Sequence, residues 1–418
     1  MMQYAKWMVA AALAAAVALP AWADTTLRIF TGGQQRPDVM RKIADEYEKR
    51  TPGLKIDVEV GGATSEAQQQ YLSTVLSSKD SALDVILIDV IRPAQWAQQG
   101  WAEPLDAYLG ADRQKIMSQY LRAYAEADQV NGKVIALPYF ADAQFLYYRK
   151  DLLEKYKRAV PKTWDEMMET ARIILDGEKN PQLQGFETAG ANIEGTVCTY
   201  LVPLWGTGAD LTKDGKLNLN TAAARQPFQL YGRMKQSGVL PKNIAEIPTD
   251  RIRIDMQAGN LIFGMTWGYV WNRLENDADS KVKGRIGVAP LPHDKGGSSA
   301  TCVGGWQLAV SAFSKHKQEA VNFARYLSSP EVSKMQAILA SHLPVFTSVY
   351  KDASVLKANP WFADALPVVE GARSRPVSAQ YPQVSDAIRS TMNAYLAGTK
   401  STDSAISDMQ GRLTPLFR

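Results

Sequence analysis

TTLRIFTGGQQRPDVMRKIADEYEKRTPGLKIDVEV, residues 25 to 60, reads as strand, loop, helix and strand in turn. Leu27 and Ile29 alternate with polar neighbours as in a half-buried strand, the loop Gly32-Gly33-Gln34-Gln35 follows, and an amphipathic helix runs from about Pro37 to Arg50. From Leu54 to Val60 the alternation returns, with Ile56, Val58 and Val60 on one face. The pattern then repeats: Ser65 to Leu76 is helical, and Asp84 to Ile88 is a short apolar strand ending at Asp89. Strands that alternate with helices in this way build a mostly parallel sheet of an α/β protein. Polar residues just past strand ends in such sheets lie where ligands bind, which sets Gln34, Gln35 and Asp89 at a crevice. For Asp89 a helix N-cap is the competing reading.

Further along, Val130 to Leu137 reads as a hairpin turning at Asn131-Gly132, followed by Pro138 to Asp142 and a separate apolar segment from Phe145 to Tyr148. Thr163-Trp-Asp-Glu166 is a capping box that opens a helix to Leu175, and Thr221 caps another reaching Lys235. Leu261 to Met265 is strand-like and delivers Trp267 and Tyr269 at its exit. Arg285 to Ala289 and Trp306 to Val310 are short strands. From Lys317 the chain is mainly helical, broken at Ser328-Ser329-Pro330 and Leu343-Pro344.

Ahead of the first strand, Lys6 is the only charge before an apolar run, VAAALAAAVALP, and Ala21-Trp22-Ala23, the layout of a secretory signal cleaved after Ala23. No later stretch approaches 18 uninterrupted apolar residues, and no cysteine stands near the cleavage site to take a lipid, so a soluble protein of the periplasm is expected. What remains of the 418 residues is too long for one ordinary core and suggests two lobes. The charge is nearly balanced, 47 Lys and Arg against 43 Asp and Glu, and dispersed, so neither nucleic acid nor an anionic membrane is implied as a partner. Cys198 and Cys302 are the only cysteines, and in an oxidising compartment they either form a disulfide or remain two buried thiols.

Catalytic chemistry is sparse. His293, His316 and His342 lie in no metal-ligand spacing, and there is no phosphate loop or G-x-S-x-G elbow, so neither a metal nor a cofactor is expected. Three clusters stand out instead: TWGYVW with Trp267 and Tyr269, CVGGWQLAV with Gly305 and Trp306, and RSRPVSAQYPQ with Arg375. Aromatic faces against C–H surfaces and planar polar groups against hydroxyls are how sugars are recognised, although an isolated tryptophan is more often core than platform.

Six segments in order, DVILIDVIRPAQWAQQGWAEPLD (84–106), GKVIALPYFADAQFLYYRKDLLEKY (132–156), EGTVCTYLVPLWGTGADL (194–211), TWGYVWNRLENDADSKVKGRIGVAPLPH (266–293), TCVGGWQLAVSAFSKHK (301–317) and RPVSAQYPQVSDAI (375–388), resemble the extracytoplasmic sugar-binding proteins of ATP-driven importers, in their trehalose/maltose branch. The resemblance implies a two-lobed periplasmic binding protein fold of type II, closing like a hinged trap around a solute. Its lobes would comprise 24–140 with 303–343 and 141–302 with 344–418. Crossings are expected near Tyr139 to Ala143, Thr301 to Gly305 and Leu343. It further implies that Asp89 and Asp142 are ionised acceptors for sugar hydroxyls, that Trp267, Tyr269 and Trp306 are aromatic walls, that Gly305 leaves room for the ring, and that Arg375 is a cationic donor. Trp205 is a weaker candidate, and Trp96, Trp101, Trp164 and Trp361 are expected to pack. A monomer that presents its sugar to permease subunits follows from the same likeness, and with the cysteines flanking the cleft we expect one Cys198–Cys302 disulfide.

The chain departs from that branch in the first half of the site. Phe140 stands where a tyrosine is expected two residues before Asp142, Gln34-Gln35-Arg36 replace a glutamate, and Gly61-Gly62 replace an arginine. Each lost hydroxyl or charge is worth about 1–3 kcal/mol when buried, so a different small glycoside is within reach. Two rival readings remain: a secreted hydrolase using Asp89 and Asp142 as acid and nucleophile, and an importer receptor for a non-sugar solute. No landmark above belongs to a hydrolase, and polyamine or metal capture would want clustered carboxylates or clustered His, Tyr or Cys.

Overall fold

The computed structural model describes residues 25–62 and 64–417, so the signal-type leader lies outside the described residues. The chain opens as read: β1 (Thr25–Thr31), α1 (Pro37–Arg50), β2 (Leu54–Val60), α2 (Ser65–Ser77) and β3 (Val85–Asp89). Next comes a thirteen-residue strand, β4 (Leu137–Arg149). The second half of the molecule supplies α3 (Trp164–Glu178), β5 (Gln184–Glu187), α4 (Gly195–Gly206), α5 (Ala222–Gln236), α6 (Thr249–Gln257), β6 (Leu261–Trp267), α7 (Val270–Asn276) and β7 (Ile286–Ala289). The chain then returns with β8 (Val303–Val310), α8 (Lys317–Leu327) and α9 (Pro330–Ala340), and ends in helices that include α10 (Tyr381–Leu396) and α11 (Thr402–Leu413).

The strands lie in the order β2-β1-β3-β8-β4-β6-β5, with β7 also on β4. β1 pairs in parallel with β2 and β3, whereas β8 runs antiparallel between β3 and β4. Up to Ala143, β4 pairs with β8; from Gln144 onward it pairs with β6 and β7. One strand therefore belongs to both halves. At the change of partner its backbone is held by side chains: the Tyr124 hydroxyl donates to the Asp142 carbonyl (2.8 Å) and accepts from its N–H (3.2 Å), and Thr301 Oγ1 does the same for Gln144 (2.7 and 3.0 Å). Two further segments run beside it. Ala141 N–H donates to the Leu343 carbonyl (2.8 Å), and Arg373 exchanges bonds with Val303 and Thr301 (2.9 Å each).

Pro138–Asp142 and Phe145–Tyr148, read as separate segments, are one continuous strand, although Pro138 near its start cannot donate to a ladder. The structure accommodates this with a register shift: Trp306 faces Phe140 while Gln307 faces Pro138, which leaves Tyr139 as the extra residue of a bulge. The capping box at Thr163 and the Thr221 cap form as read. Trp96, Trp101, Trp164 and Trp361 are buried in packing, with Trp96 edge-on to Trp101.

Cys198 on α4 and Cys302, just before β8, form a disulfide with Cα atoms 6.0 Å apart. It ties a helix of the second half to the strand that re-enters the first. It closes a loop with a sequence separation of 104 residues, and a disulfide's constraint of the unfolded chain is typically worth about 2–4 kcal/mol. The variant with both cysteines replaced by serine is expected to lose about that much in denaturant unfolding. Mass spectrometry of the denatured, unreduced wild type should find no alkylatable thiol.

Candidate functional site

Between the two halves lies a cavity of about 330 Å³, lined by the ends of β3 and β6, the bulged stretch of β8, the partner-changing stretch of β4, the loop after β1 and the segment before α10. All ten residues singled out from the sequence line it: Gln34 and Gln35, Asp89, Phe140 and Asp142, Trp267 and Tyr269, Gly305 and Trp306, and Arg375. Strand register explains part of this. Trp306 lies directly opposite Asp89 on one side and Phe140 on the other, so the three share a face.

Two of these positions are more constrained than the sequence alone shows. Gly305 has a φ of +109°, and a Cβ there would stand 2.4 Å from the Phe140 carbonyl oxygen. Its neighbour Gly304 lies under the Trp267 ring, which a Cβ there would meet at 2.4 Å. Asp142, expected as a plain ionised acceptor, is buried, and burial pushes its carboxyl up to about 7 against three backbone donors, Gly268 (2.7 Å), Ala143 (2.8 Å) and Tyr269. Gly268 must be glycine for this, because its Cβ would lie 2.9 Å from Asp142 Oδ1.

Arg375 is also more committed than expected. It donates to Glu194 Oε1 (2.8 Å), Asp89 Oδ1 (3.3 Å) and the Val303 carbonyl (3.2 Å). Burial works against its charge, and Asp89, Tyr381 and Glu194 outweigh that, so its pKa is raised. Asp89 therefore serves this pair and does not cap a helix. Gln35 is buried and accepts from Gln68 Nε2 (3.3 Å). Three polar groups of lining residues are left over, buried without a hydrogen-bond partner: Tyr269 Oη, Arg375 Nε and Ser65 Oγ.

The sequence reading missed Glu66, Glu194, Asp250 and His342, which also line the cavity. Glu194 was legible as the residue opening a helical segment, and His342 as the neighbour of the Leu343 break. Glu194 takes the Tyr381 hydroxyl and Ser385 Oγ (2.6 Å) besides Arg375. Asp250 is held by Arg253 in a two-pronged pair (2.7 and 2.9 Å). His342 stacks on Phe140 with ring centres 3.9 Å apart, and burial pushes it down to about 3, so it is neutral. Trp205 is not part of the cavity. Its ring lies under Arg373 (5.1 Å) and its Nε1 donates to Asp210.

Residues 33–334 match the family described as bacterial extracellular solute-binding protein. The chain belongs to that family. It is 34% identical over 384 residues to a probable ABC transporter-binding protein of Deinococcus radiodurans, covering 90% of each chain. A maltose-bound MalE3 of T. maritima superposes with a TM-score of 0.88 at 31% identity, over 94% of this chain and all of that one. A mannitol-binding protein of Pseudomonas aeruginosa is 24% identical, over 78% of this chain and 74% of its own. The fold is thus the two-lobed periplasmic binding protein fold, and membership of this family places the protein outside the cytoplasm. Among the described residues no helix is long and apolar enough to cross a membrane.

Asp142 carries a pH signature. Its folded pKa of about 7 exceeds the unfolded value of 3.8, so its contribution to stability is full below about pH 4 and is lost as pH rises to about 7, by about 4 kcal/mol at most. Glu187, pushed up to about 8 by burial, and Asp128, also raised, tilt the same way. The expected result is therefore a difference: denaturant unfolding from pH 4 to 7 shows a shallower decline in Asp142→Asn than in wild type.

Proposed function

We propose that this protein is the receptor of an ATP-driven importer for neutral sugars or polyols, and that its solute is an α-linked disaccharide of the trehalose/maltose type or a similar small glycoside. The observation that carries this reading is that aromatic faces share the cavity with polar side chains already hydrogen-bonded within the protein. Each fixed charge on its wall has a partner within the protein: Arg375 with Asp89 and Glu194, Asp250 with Arg253, and Glu66 with the N–H of Glu194. Asp142 titrates near neutrality instead of standing as a bare charge. Beside these groups the rings of Trp267, Tyr269 and Trp306 line the same space. Flat aromatic faces beside groups that both donate and accept suit a polyol, whose C–H faces stack and whose hydroxyls do both.

On this reading the solute is held by Asp89, Asp142, Tyr269 and Arg375 between the walls of Trp267 and Trp306, with Gln34, Gln35, Phe140 and Gly305 shaping the pocket. The lobes, 24–140 with 303–343 and 141–302 with 344–418, close on it in the periplasm, after cleavage behind Ala23. The protein acts as a monomer, hands its solute to permease subunits of the inner membrane and performs no chemistry on it.

A thermal-shift panel of trehalose, maltose, sucrose, glucosylglycerol and mannitol, with putrescine and lysine as charged comparisons, tests the class. A neutral member at 100 times its Kd should add about 2.7 kcal/mol of stability, and the charged compounds none. Trp267→Ala and Trp306→Ala should each weaken that member by about 1–3 kcal/mol in calorimetry. Stabilisation by a charged compound alone, or hydrolysis of a bound disaccharide, would overturn the reading.

A further inference from the structure

Glu66 lies at the start of α2, on the side of the molecule built from β1, β2 and β3, where Thr64 caps the helix by accepting from Ala67 N–H (3.2 Å). Its Oε1 accepts the backbone N–H of Glu194, the residue that leads into α4 on the opposite side of the cavity. α4 has twelve residues and no side-chain cap of its own. Its first N–H groups lack intrahelical partners, and its aligned peptide dipoles favour an anion at that end. Glu66 therefore takes the N–H of the N-cap residue from across the cleft, as the third-position acid of a capping box does from within a helix. The receiving end is stiff, because the Glu194 carboxylate is tied to Arg375, Tyr381 and Ser385. A second contact of the same kind lies nearby: Asn272 on α7 accepts from Arg36 Nη1 (2.8 Å) and donates to Ser341 Oγ (3.4 Å), and both of these partners flank helices of the first side, α1 and α9.

We infer that Glu66 is the positioning residue that holds the cleft shut, with the Arg36–Asn272–Ser341 contact as its auxiliary, and that the shut form is populated without solute. Both contacts join protein to protein, so neither needs a third molecule. The consequence for affinity rests on the cavity being the solute site, whereas the contact itself can be tested with nothing bound.

Small-angle scattering of the unliganded wild type, Glu66→Ala, Glu66→Gln and Asn272→Ala, each with its circular dichroism and melting temperature, decides the matter. Wild type should be compact, and Glu66→Ala should show a larger radius of gyration at unchanged helical content. Glu66→Gln, which keeps an acceptor oxygen, should lie nearer wild type, and Asn272→Ala should shift less than Glu66→Ala. Should Glu66→Ala not fold, the Gln and Asn272 variants still order the series. Equal radii across the folded variants overturn the inference, whether all are compact or all expanded. Maltose titrated by calorimetry adds the second readout, an affinity lowered about tenfold in Glu66→Ala, as the loss of one charge-assisted bond would give. Absence of maltose binding to wild type counts against the sugar assignment and leaves the scattering result to judge Glu66.

Discussion

β4 has to satisfy two sheets, and the rest of the molecule is arranged around that demand. Its first stretch is locked between neighbours by β8, and its last by β6 and β7. Backbone polar groups buried at the change of partner cannot be left unpaired, and they are met by the hydroxyls of Tyr124 and Thr301, not by a third strand. Side-chain hydroxyls thus hold the backbone where β4 passes from one half to the other. Asp142 sits at that point, with its carboxyl gathered by Gly268 and Ala143.

The cavity walls follow from the same geometry. Trp306 is placed by its register with β3 and β4, Trp267 by the exit of β6, and Gly304 lets the two strands carry their rings toward one space. Charge is handled locally. Arg375 draws Asp89 from one side and Glu194 from the other into a single buried cluster, and such a cluster is stable only because its members are hydrogen-bonded as well as paired. The disulfide fixes α4, and hence Glu194, against the strand that leads to Trp306.

Much of this was legible in the chain. The alternation of Leu27 and Ile29, the capping box at Thr163 and the aromatic exit of Leu261 to Trp267 are local signals, and each of those elements formed where it was read. All ten site candidates share one cavity because they sit at strand ends or beside crossings, where topology gathers residues regardless of their spacing. What stayed hidden depends on partners far away in sequence. The continuity of β4 through its bulge, the short β5 and the polar α6 owe their form to neighbours, not to their own pattern. Gly304 and Gly305 are indistinguishable in the sequence, and only the positions of the Trp267 ring and the Phe140 carbonyl separate their roles. Likewise, Glu66 and Asp250 read as ordinary helix-start acids until the opposite wall is in place.

The position of β8 has a consequence for how the chain is made. It is a central strand, flanked by β3 and β4, yet it is encoded after the whole run from α3 to β7 has been synthesised. Until it arrives, β3 and the first stretch of β4 have an open edge between them, and the sheet of the first half cannot be completed. Such non-local pairing is slow to form. A nascent chain of this design stays without its central strand through most of its synthesis, and the unfolded character that export across a membrane requires is written into the order of its strands.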